Sequence, residues 1–530
     1  MQRNRLAVLV LGGLVLLTLA RVWFAAGIEL LPEEAYYWTY AQHPALSYFD
    51  HPPMVAWVIT AGTVVFGHTE LGVRIGMISL SLASSWLLFL LVRSWVDARR
   101  AWVAVLIFNL LPVFATTGFL AFPDGPLLFF WLLTMTALTR ALGVGESARL
   151  LEGDGPRARR DTLWWLLAGV GFGGAMLSKY TAVMLAPSLL VFLALSPTHR
   201  HWLRRPQPWL AAAVAAAAFG IVVIWNAQHG WASFLFQTGR TSEGNPGTLV
   251  DIPLFWVYQL AVLTPVGFAL AAWALAAGIW RGWWRREEPW NFVASFAAPL
   301  FLLFVWASTK TQVHINWTAP AYLSLTMGGA VLACGLVEQP DRRRARRWQW
   351  LGGFSAALAL VVLVGGLTML RWGVPAVFTY THAGGWRELA RQIELTEAAL
   401  QKETGQEPFI LGADKYYLSA ELSFYSHEPQ EQLNLSALGL QGLAFKYWTR
   451  LEDWESHPAV VVLPKLKKSL LLEVQAHFDR VSDPRELSVK SIGNRQRTVY
   501  VMNAYGYHHD HNRSQAGQDT TDRSLLTDSR

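Results

Sequence analysis

Two adjacent carboxylates stand early in the chain, in Pro32-Glu33-Glu34-Ala35-Tyr36-Tyr37-Trp38, and a second polar run, Tyr48-Phe49-Asp50-His51-Pro52-Pro53, follows shortly after. Further ionisable groups occur in Phe122-Pro123-Asp124-Gly125-Pro126, in Leu177-Ser178-Lys179-Tyr180, and in the stretch from Ser308 through Lys310, His314 and Asn316 to Trp317. Each has a plainer structural use. Pro32 opens a helix whose first turn tolerates acids, Asp124 suits a turn, Lys179 suits an anchor at a lipid boundary and Trp317 suits an interfacial belt. Their clustering favours chemistry, because acids beside a bilayer are costly to keep and have little structural use there. Ammonium groups at Lys179 and Lys310 suit an anion, phosphate in particular.

The elements that must position these groups are apolar. Of 530 residues, 53% are apolar, more than one soluble core could hide, and much of this sequence falls in runs near the ~20 residues that cross a bilayer. Eleven spans are expected, at 6–28, 73–95, 101–119, 125–144, 162–178, 181–196, 208–226, 252–280, 291–309, 317–337 and 348–371. With the amino terminus inside, arginines crowd the inner loops, for example Arg99 and Arg100, Arg204 and Arg205, and Arg342 to Arg347. The outer connections before residue 372 then carry only Arg74, Lys179, Arg240 and Lys310. That asymmetry is the one produced by the positive-inside preference, and it accounts for the formal charge of +7 better than nucleic-acid binding does. Residues 6–28 run longer than the core of a cleaved signal and are expected to remain as an anchor. The single cysteine, Cys334, lies inside the tenth span and reads as a small buried apolar residue.

The fold expected is a polytopic α-helical membrane domain over 1–371, followed by a soluble α/β domain over 372–506 and a disordered tail over 507–530. Phe409 to Leu411 and Val460 to Leu463 read as buried strands, and Tyr416 to Phe424 and Ser469 to Val481 as helices. Within the first outer loop, 29–72, the stretches Glu34 to Gln42 and Met54 to Phe66 suit helices lying in the membrane interface. Arg74 and Arg240 read as basic residues at loop ends. His508, His509, Asp510 and His511 fall in the polar tail and are given no role. No P-loop, dinucleotide glycine fingerprint, zinc-protease motif or nucleophile elbow occurs, and no Asp-x-Asp pair of the kind that holds a nucleotide sugar.

The Pro32 to Trp38 motif, Tyr48 to Met54, Phe122-Pro123-Asp124, Leu177 to Tyr180 and Lys310 to Tyr322 together resemble the bacterial branch of the protein mannosyltransferase superfamily, the broad group of the aminoarabinose lipid A transferases. The likeness extends over the membrane part, and Gly412 to Tyr425 resembles the outer domain of that branch. It implies a GT-C glycosyltransferase fold with about 11 transmembrane helices. It also implies a sugar donor linked to polyprenyl phosphate, an inner-membrane location with the site and C-terminal domain outside, and an envelope lipid, glycan or protein as acceptor.

The family's acid motif usually reads Asp-Glu, so its positions fall on Glu33 and Glu34, either of which is a candidate base. Asp124 is expected to orient base or acceptor. Lys179, Lys310, His51 and His314 are expected to hold the donor phosphate, and Asp50, Tyr36 and Tyr37 to support the loop or the acceptor. No cofactor is called for; Glu33, Asp50, Asp124 and His314 offer hard ligands for a divalent metal, but no spacing declares a site. The rival readings are a transporter or flippase for a lipid-linked sugar, which would place ionisable groups at mid-bilayer, and a non-catalytic envelope assembly subunit, which would need neither the acids nor the cations.

Overall fold

The computed structural model describes residues 2–144, 157–242, 251–372, 383–427, 432–493 and 495–509. They form two compact units. One comprises residues 1–25, 46–62 and 74–366, and the other residues 26–45, 63–73 and 367–530.

The first unit is built on helices α1 (Gln2–Ala25), α3 (Met54–Phe66), α4 (Glu70–Trp95), α5 (Ala98–Leu110), α6 (Pro112–Thr117), α7 (Asp124–Leu142), α8 (Arg157–Ser178), α9 (Leu185–Leu195), α10 (Pro206–Gln228), α11 (Ala232–Ser242), α12 (Asp251–Ala277), α13 (Glu288–Ala307), α14 (Ala319–Val337) and α15 (Arg342–Trp372), with short ends of α3, α4 and α15 belonging to the second unit. Every expected span falls on helix. Eight helices among the described residues are long and apolar enough to cross a bilayer.

Four of the expected spans are broken, shortened, opened by charges or bent. The 101–119 run divides into α5 and α6 because Pro112 forces Leu111 into extended backbone. The 181–196 run is a 3-10 turn over Tyr180–Met184 followed by the 11-residue α9, about 16 Å of helix. α8 opens on Arg157, Arg159, Arg160 and Asp161. α12 is bent where Thr264 takes a φ of 61° ahead of Pro265.

The helices approach closely because glycines line α8. A Cβ on Gly169 would lie 2.5 Å from the Ala211 carbonyl oxygen of α10, and one on Gly171 would lie 2.9 Å from the Thr134 nitrogen of α7. Small residues substitute for the hydrophobic drive that lipid cannot supply between helices. α7 and α8 thus form a tight hairpin around the buried indoles of Trp131 and Trp165. At one end of this unit Arg99 and Arg100, in the first turn of α5, pair with Glu338 after α14, Arg99 at 2.8 Å.

The second unit carries α2 (Pro32–Gln42), α16 (Trp386–Thr404), α17 (Tyr417–Tyr425), α18 (Lys468–Ala476) and strands β1 (Phe409–Gly412), β2 (Ala459–Leu463), β3 (Phe478–Val481), β4 (Arg485–Lys490) and β5 (Gln496–Tyr507). The sheet order is β1-β2-β5-β3, with β4 also paired to β5. β1 and β2 run parallel, which is why both are apolar throughout and buried on both faces. Val460 and Val462 point to the layer containing Trp386, Leu389, Ile393 and Leu422, whereas Val461 and Leu463 join Phe409, Val474 and Phe478 on the other face.

The helix expected over Ser469 to Val481 ends at Ala476, and Phe478 to Val481 pair with β5 as β3. Tyr507, placed at the head of the tail from the sequence, closes β5 with its hydroxyl donating to the Ala437 carbonyl at 2.6 Å. The rest of the expected tail, from residue 510, lies outside the described residues.

Gly171→Val should destabilise the first unit by roughly 1–3 kcal/mol, as overpacking does, while Gly335→Ala, where a Cβ meets open space, should be neutral or slightly stabilising. Thermal unfolding of the two variants in detergent checks this.

Candidate active site

In the first unit, three connections converge on Asp124. Asp124 opens α7 behind Pro123, where the helix dipole favours an acid. Lys179 follows the last residue of α8, its N–H closing the helix on the Ala175 carbonyl at 3.0 Å and its backbone turning extended. The Lys179 ammonium donates to Asp124 Oδ1 at 2.9 Å, and Asn316 Nδ2 donates to Asp124 Oδ2 at 2.7 Å. Asp124 is 2% exposed and Lys179 8%, so the pair is largely withdrawn from water and each charge requires the other.

Asn316 also fixes the turns between α13 and α14, the connection that bears Lys310 and His314. Lys310 is exposed and makes no ion pair with any described residue, and His314 is exposed with its ring 5.1 Å from that of Trp317. The far side of this connection is tied to α12, where Gln259 Oε1 accepts from Thr318 Oγ1 at 2.8 Å and from the Tyr322 hydroxyl at 2.5 Å.

Asp50 is buried, and its carbonyl accepts from Gln237 Nε2 of α11 at 2.6 Å. His51 closes the same turn, its carbonyl accepting the Tyr48 N–H at 3.2 Å. The α10 to α11 corner behind them is held by Asn226, whose Oδ1 accepts the backbone N–H of Ser233 and Phe234. Arg74 is not a loop-end residue: it lies inside α4, is fully buried, donates to the Ala25 carbonyl at 3.2 Å and sits 5.3 Å from the Phe119 ring. Arg240 falls within α11.

The acid pair lies in the second unit, and its two members differ. Glu34 is fully buried, and its Oε2 accepts the Leu31 N–H at 3.0 Å, the capping use that a helix start affords. Glu33 is half-exposed. Tyr36 is a buried packing residue, its hydroxyl accepting from Tyr40 at 3.1 Å and from the Ala444 N–H at 3.2 Å while its ring meets Tyr416 at 4.7 Å. Tyr37 packs beside it, 5.6 Å between centroids.

α2 packs against α17, which brings in groups that the sequence reading left without a role. Glu421 is fully buried and neither of its carboxyl oxygens has a hydrogen-bond partner. Burial pushes its carboxyl well above the ordinary carboxylate range; Arg497 opposes this, and the charges of Glu29, Glu34 and Glu33 reinforce it. Asp414 accepts the Leu418 N–H at the start of α17, yet burial outweighs its backbone hydrogen bonds and raises it to about 7. Tyr416 is likewise raised, by burial first and the Glu33 charge second. Alternation and spacing gave no sign of Glu421, because a glutamate within a short helix reads as its solvent face. Asn316 had a signal, a carboxamide within the polar stretch from Ser308 to Trp317. Among the described residues no three His, Cys, Asp or Glu side chains gather as a metal site.

Residues 50–225 match the family described as dolichyl-phosphate-mannose-protein mannosyltransferase. The whole fold is similar to that of ArnT from Cupriavidus metallidurans, with a TM-score of 0.59 over 95% of this chain and 98% of that one at 16% identity. The chain has the GT-C fold. A GT-C likeness extends to the oligosaccharyltransferase AglB from Archaeoglobus fulgidus, with a TM-score of 0.51 and 12% identity over 85% of this chain and 69% of that one. By sequence, the chain is 26% identical over 315 residues to the lipid A galacturonosyltransferase RgtD of Rhizobium johnstonii, covering 58% of this chain and 61% of that protein. It is 25% identical over 341 residues to an undecaprenyl phosphate-α-4-amino-4-deoxy-L-arabinose arabinosyl transferase of Pseudomonas fluorescens, covering 62% and 55% respectively. The chain thus matches about half to three-fifths of the length of these curated relatives. It is a multi-pass membrane protein.

The raised carboxyls fix a pH dependence for the second unit. A carboxyl whose folded value lies above its unfolded one binds its proton more tightly when folded, so its stabilising effect is complete at acid pH and is lost as pH rises. For Asp414 the window runs from its ordinary 3.8 to about 7. The loss approaches ~1.4 kcal/mol per pH unit for each such group. Unfolding of this unit, followed by circular dichroism, should move to lower temperature between pH 5 and pH 7.5, and Asp414→Asn should flatten that slope.

Proposed function

We propose that this protein moves a sugar from a polyprenyl-phosphate donor to an envelope lipid, glycan or protein acceptor on the extracytoplasmic face of the inner membrane, by a single inverting displacement. The observation that carries the reading is the buried Asp124, Lys179 and Asn316 cluster, which holds the connection bearing Lys310 and His314. Two supports stand beside it. The sequence relatives are named for transfer to lipid A or from undecaprenyl phosphate, and the Cupriavidus fold neighbour has been captured with undecaprenyl phosphate bound. The orientation rests on arginine placement. The end at which Arg99 and Arg100 meet Glu338 carries the basic loops, and the positive-inside preference puts that end in the cytoplasm.

The residues divide the work by chemistry. Glu33 is the base, since Glu34 is committed to capping its own helix. It takes the proton of the acceptor hydroxyl as that oxygen bonds to the anomeric carbon. The bond from the anomeric carbon to the phosphate oxygen breaks, and the lipid phosphate leaves with its charge met by Lys310 and His314. Lys179, whose charge is largely balanced by Asp124, orients the phosphate more than it neutralises it. Asp50 and His51 flank the donor on a loop fixed by Gln237, and Tyr36 and Tyr37 stiffen the helix that carries the base.

Transfer from undecaprenyl-phosphate-linked aminoarabinose or hexose, measured in vesicles containing the purified protein, tests the assignment. Glu33→Gln should lower turnover by roughly 10²–10⁴. Glu34→Gln, which keeps an oxygen for the cap, should hold turnover within about tenfold while lowering stability by ~1 kcal/mol. Wild-type turnover in Glu33→Gln would remove the base, and mass spectra of envelope lipids with and without the gene would identify the recipient.

A further inference from the structure

The second unit holds a cleft of about 470 Å³, lined by Glu407, Trp448, Arg450, Asp453, Trp454 and His457 among others. Its size lies within the ~300–1,000 Å³ of sites that take small molecules. None of these residues figures in the chemistry above. All but Glu407 come from one segment between the 3-10 turn at Leu443–Tyr447 and β2, a segment that winds into a further 3-10 turn at Leu451–Trp454.

The two indoles are set by packing. Trp448 lies parallel to His43, 4.4 Å apart at an interplanar angle of 3°, and is buttressed by Phe445 at 5.2 Å. Trp454 leans on the core ring of Phe409 at 5.3 Å and on His457 at 5.6 Å. Between them stand polar groups of both kinds: Glu407, Arg450 and Asp453 are exposed. His457 Nδ1 is buried without a hydrogen-bond partner, and the His457 carbonyl accepts the Tyr507 N–H at 3.1 Å, so the residue is fixed to β5.

We propose that this cleft is a saccharide subsite, reading the sugar portion of the acceptor. Held indole faces suit the C–H faces of a pyranose ring, an apolar surface that a free sugar otherwise leaves in water. Carboxylates at Glu407 and Asp453 accept from hydroxyl groups in charge-assisted hydrogen bonds, and Arg450 donates to ring or hydroxyl oxygens. Two acids against one arginine disfavour an anionic ligand, so the chemistry fits a neutral, hydroxyl-rich pyranoside rather than a phosphate. The inference rests on the transferase reading for its biological sense, but binding is measurable without turnover.

The test uses the full-length protein in detergent and the neutral disaccharide N,N′-diacetylchitobiose, followed by saturation-transfer NMR and by titration of tryptophan fluorescence. Saturable binding is expected, weakened roughly tenfold or more by Trp448→Ala and by Asp453→Asn, as loss of one stacked ring or one charge-assisted hydrogen bond implies. Asp453 is exposed, so its variant keeps the fold even if the tryptophan variant does not. In transfer assays with a saccharide acceptor, both variants should raise the acceptor KM several-fold with kcat within about twofold. Absence of disaccharide binding to the wild type, or equal binding to Asp453→Asn and Trp448→Ala, overturns the subsite even where transfer is intact. Disaccharide binding that responds to both variants in a protein lacking transfer upholds the subsite and instead overturns the transferase reading.

Discussion

A carboxylate and an ammonium held together away from water set the terms for the membrane unit. Asp124 and Lys179 each lie at the end of a helix, one opening α7 and the other following α8, and at 2.9 Å they close the mouth of that hairpin. A buried pair of this kind is weak evidence for stability, since packed apolar groups would serve as well, but losing one partner leaves a charge that the surroundings cannot solvate. Its value is positional. With Asn316 on the second carboxylate oxygen, three connections share one anchor, and the turns that carry Lys310 and His314 cannot drift from it.

The glycines of α8 make that anchor reachable. Without the close approach at Gly169 and Gly171, α8 would stand away from its neighbours and its C-terminal lysine would lose register with the start of α7. Electrostatics follows packing here, and packing follows from small residues whose pattern is in the sequence. The second unit solves a different problem. It gathers Glu29, Glu33, Glu34 and Glu421 with Arg497 as a compensating cation, and the fully buried member is the one pushed toward its neutral form.

Much of the helical architecture was legible because apolar runs of bilayer length leave few alternatives, and the alternating loop charge ordered them. Where the reading departed from the structure the causes are local. Pro112 divides one run, the apolar residues after Ala476 serve a strand as readily as a helix, and Arg74 looked like a boundary residue because a charge is the usual marker of a helix end. The motifs singled out Asp124 and Lys179 separately, but their pairing depends on two helices meeting in space, which no one-dimensional spacing reports. Glu34 shows the converse. Its neighbours suggested chemistry, and its side chain turns back to cap its own helix. Glu421 was invisible because a glutamate within the short helix α17 reads as its solvent face, and the Trp448 to His457 cleft because a short irregular segment carries no periodic signal.

The account is tested most directly by a double-mutant cycle on Asp124→Asn and Lys179→Gln, read as kcat/KM for transfer from an undecaprenyl-phosphate-linked sugar. If the pair acts as one anchor, each single variant loses most of the activity and the double variant is no worse than the poorer single. Losses that simply add, or single variants that transfer as the wild type does, would contradict it.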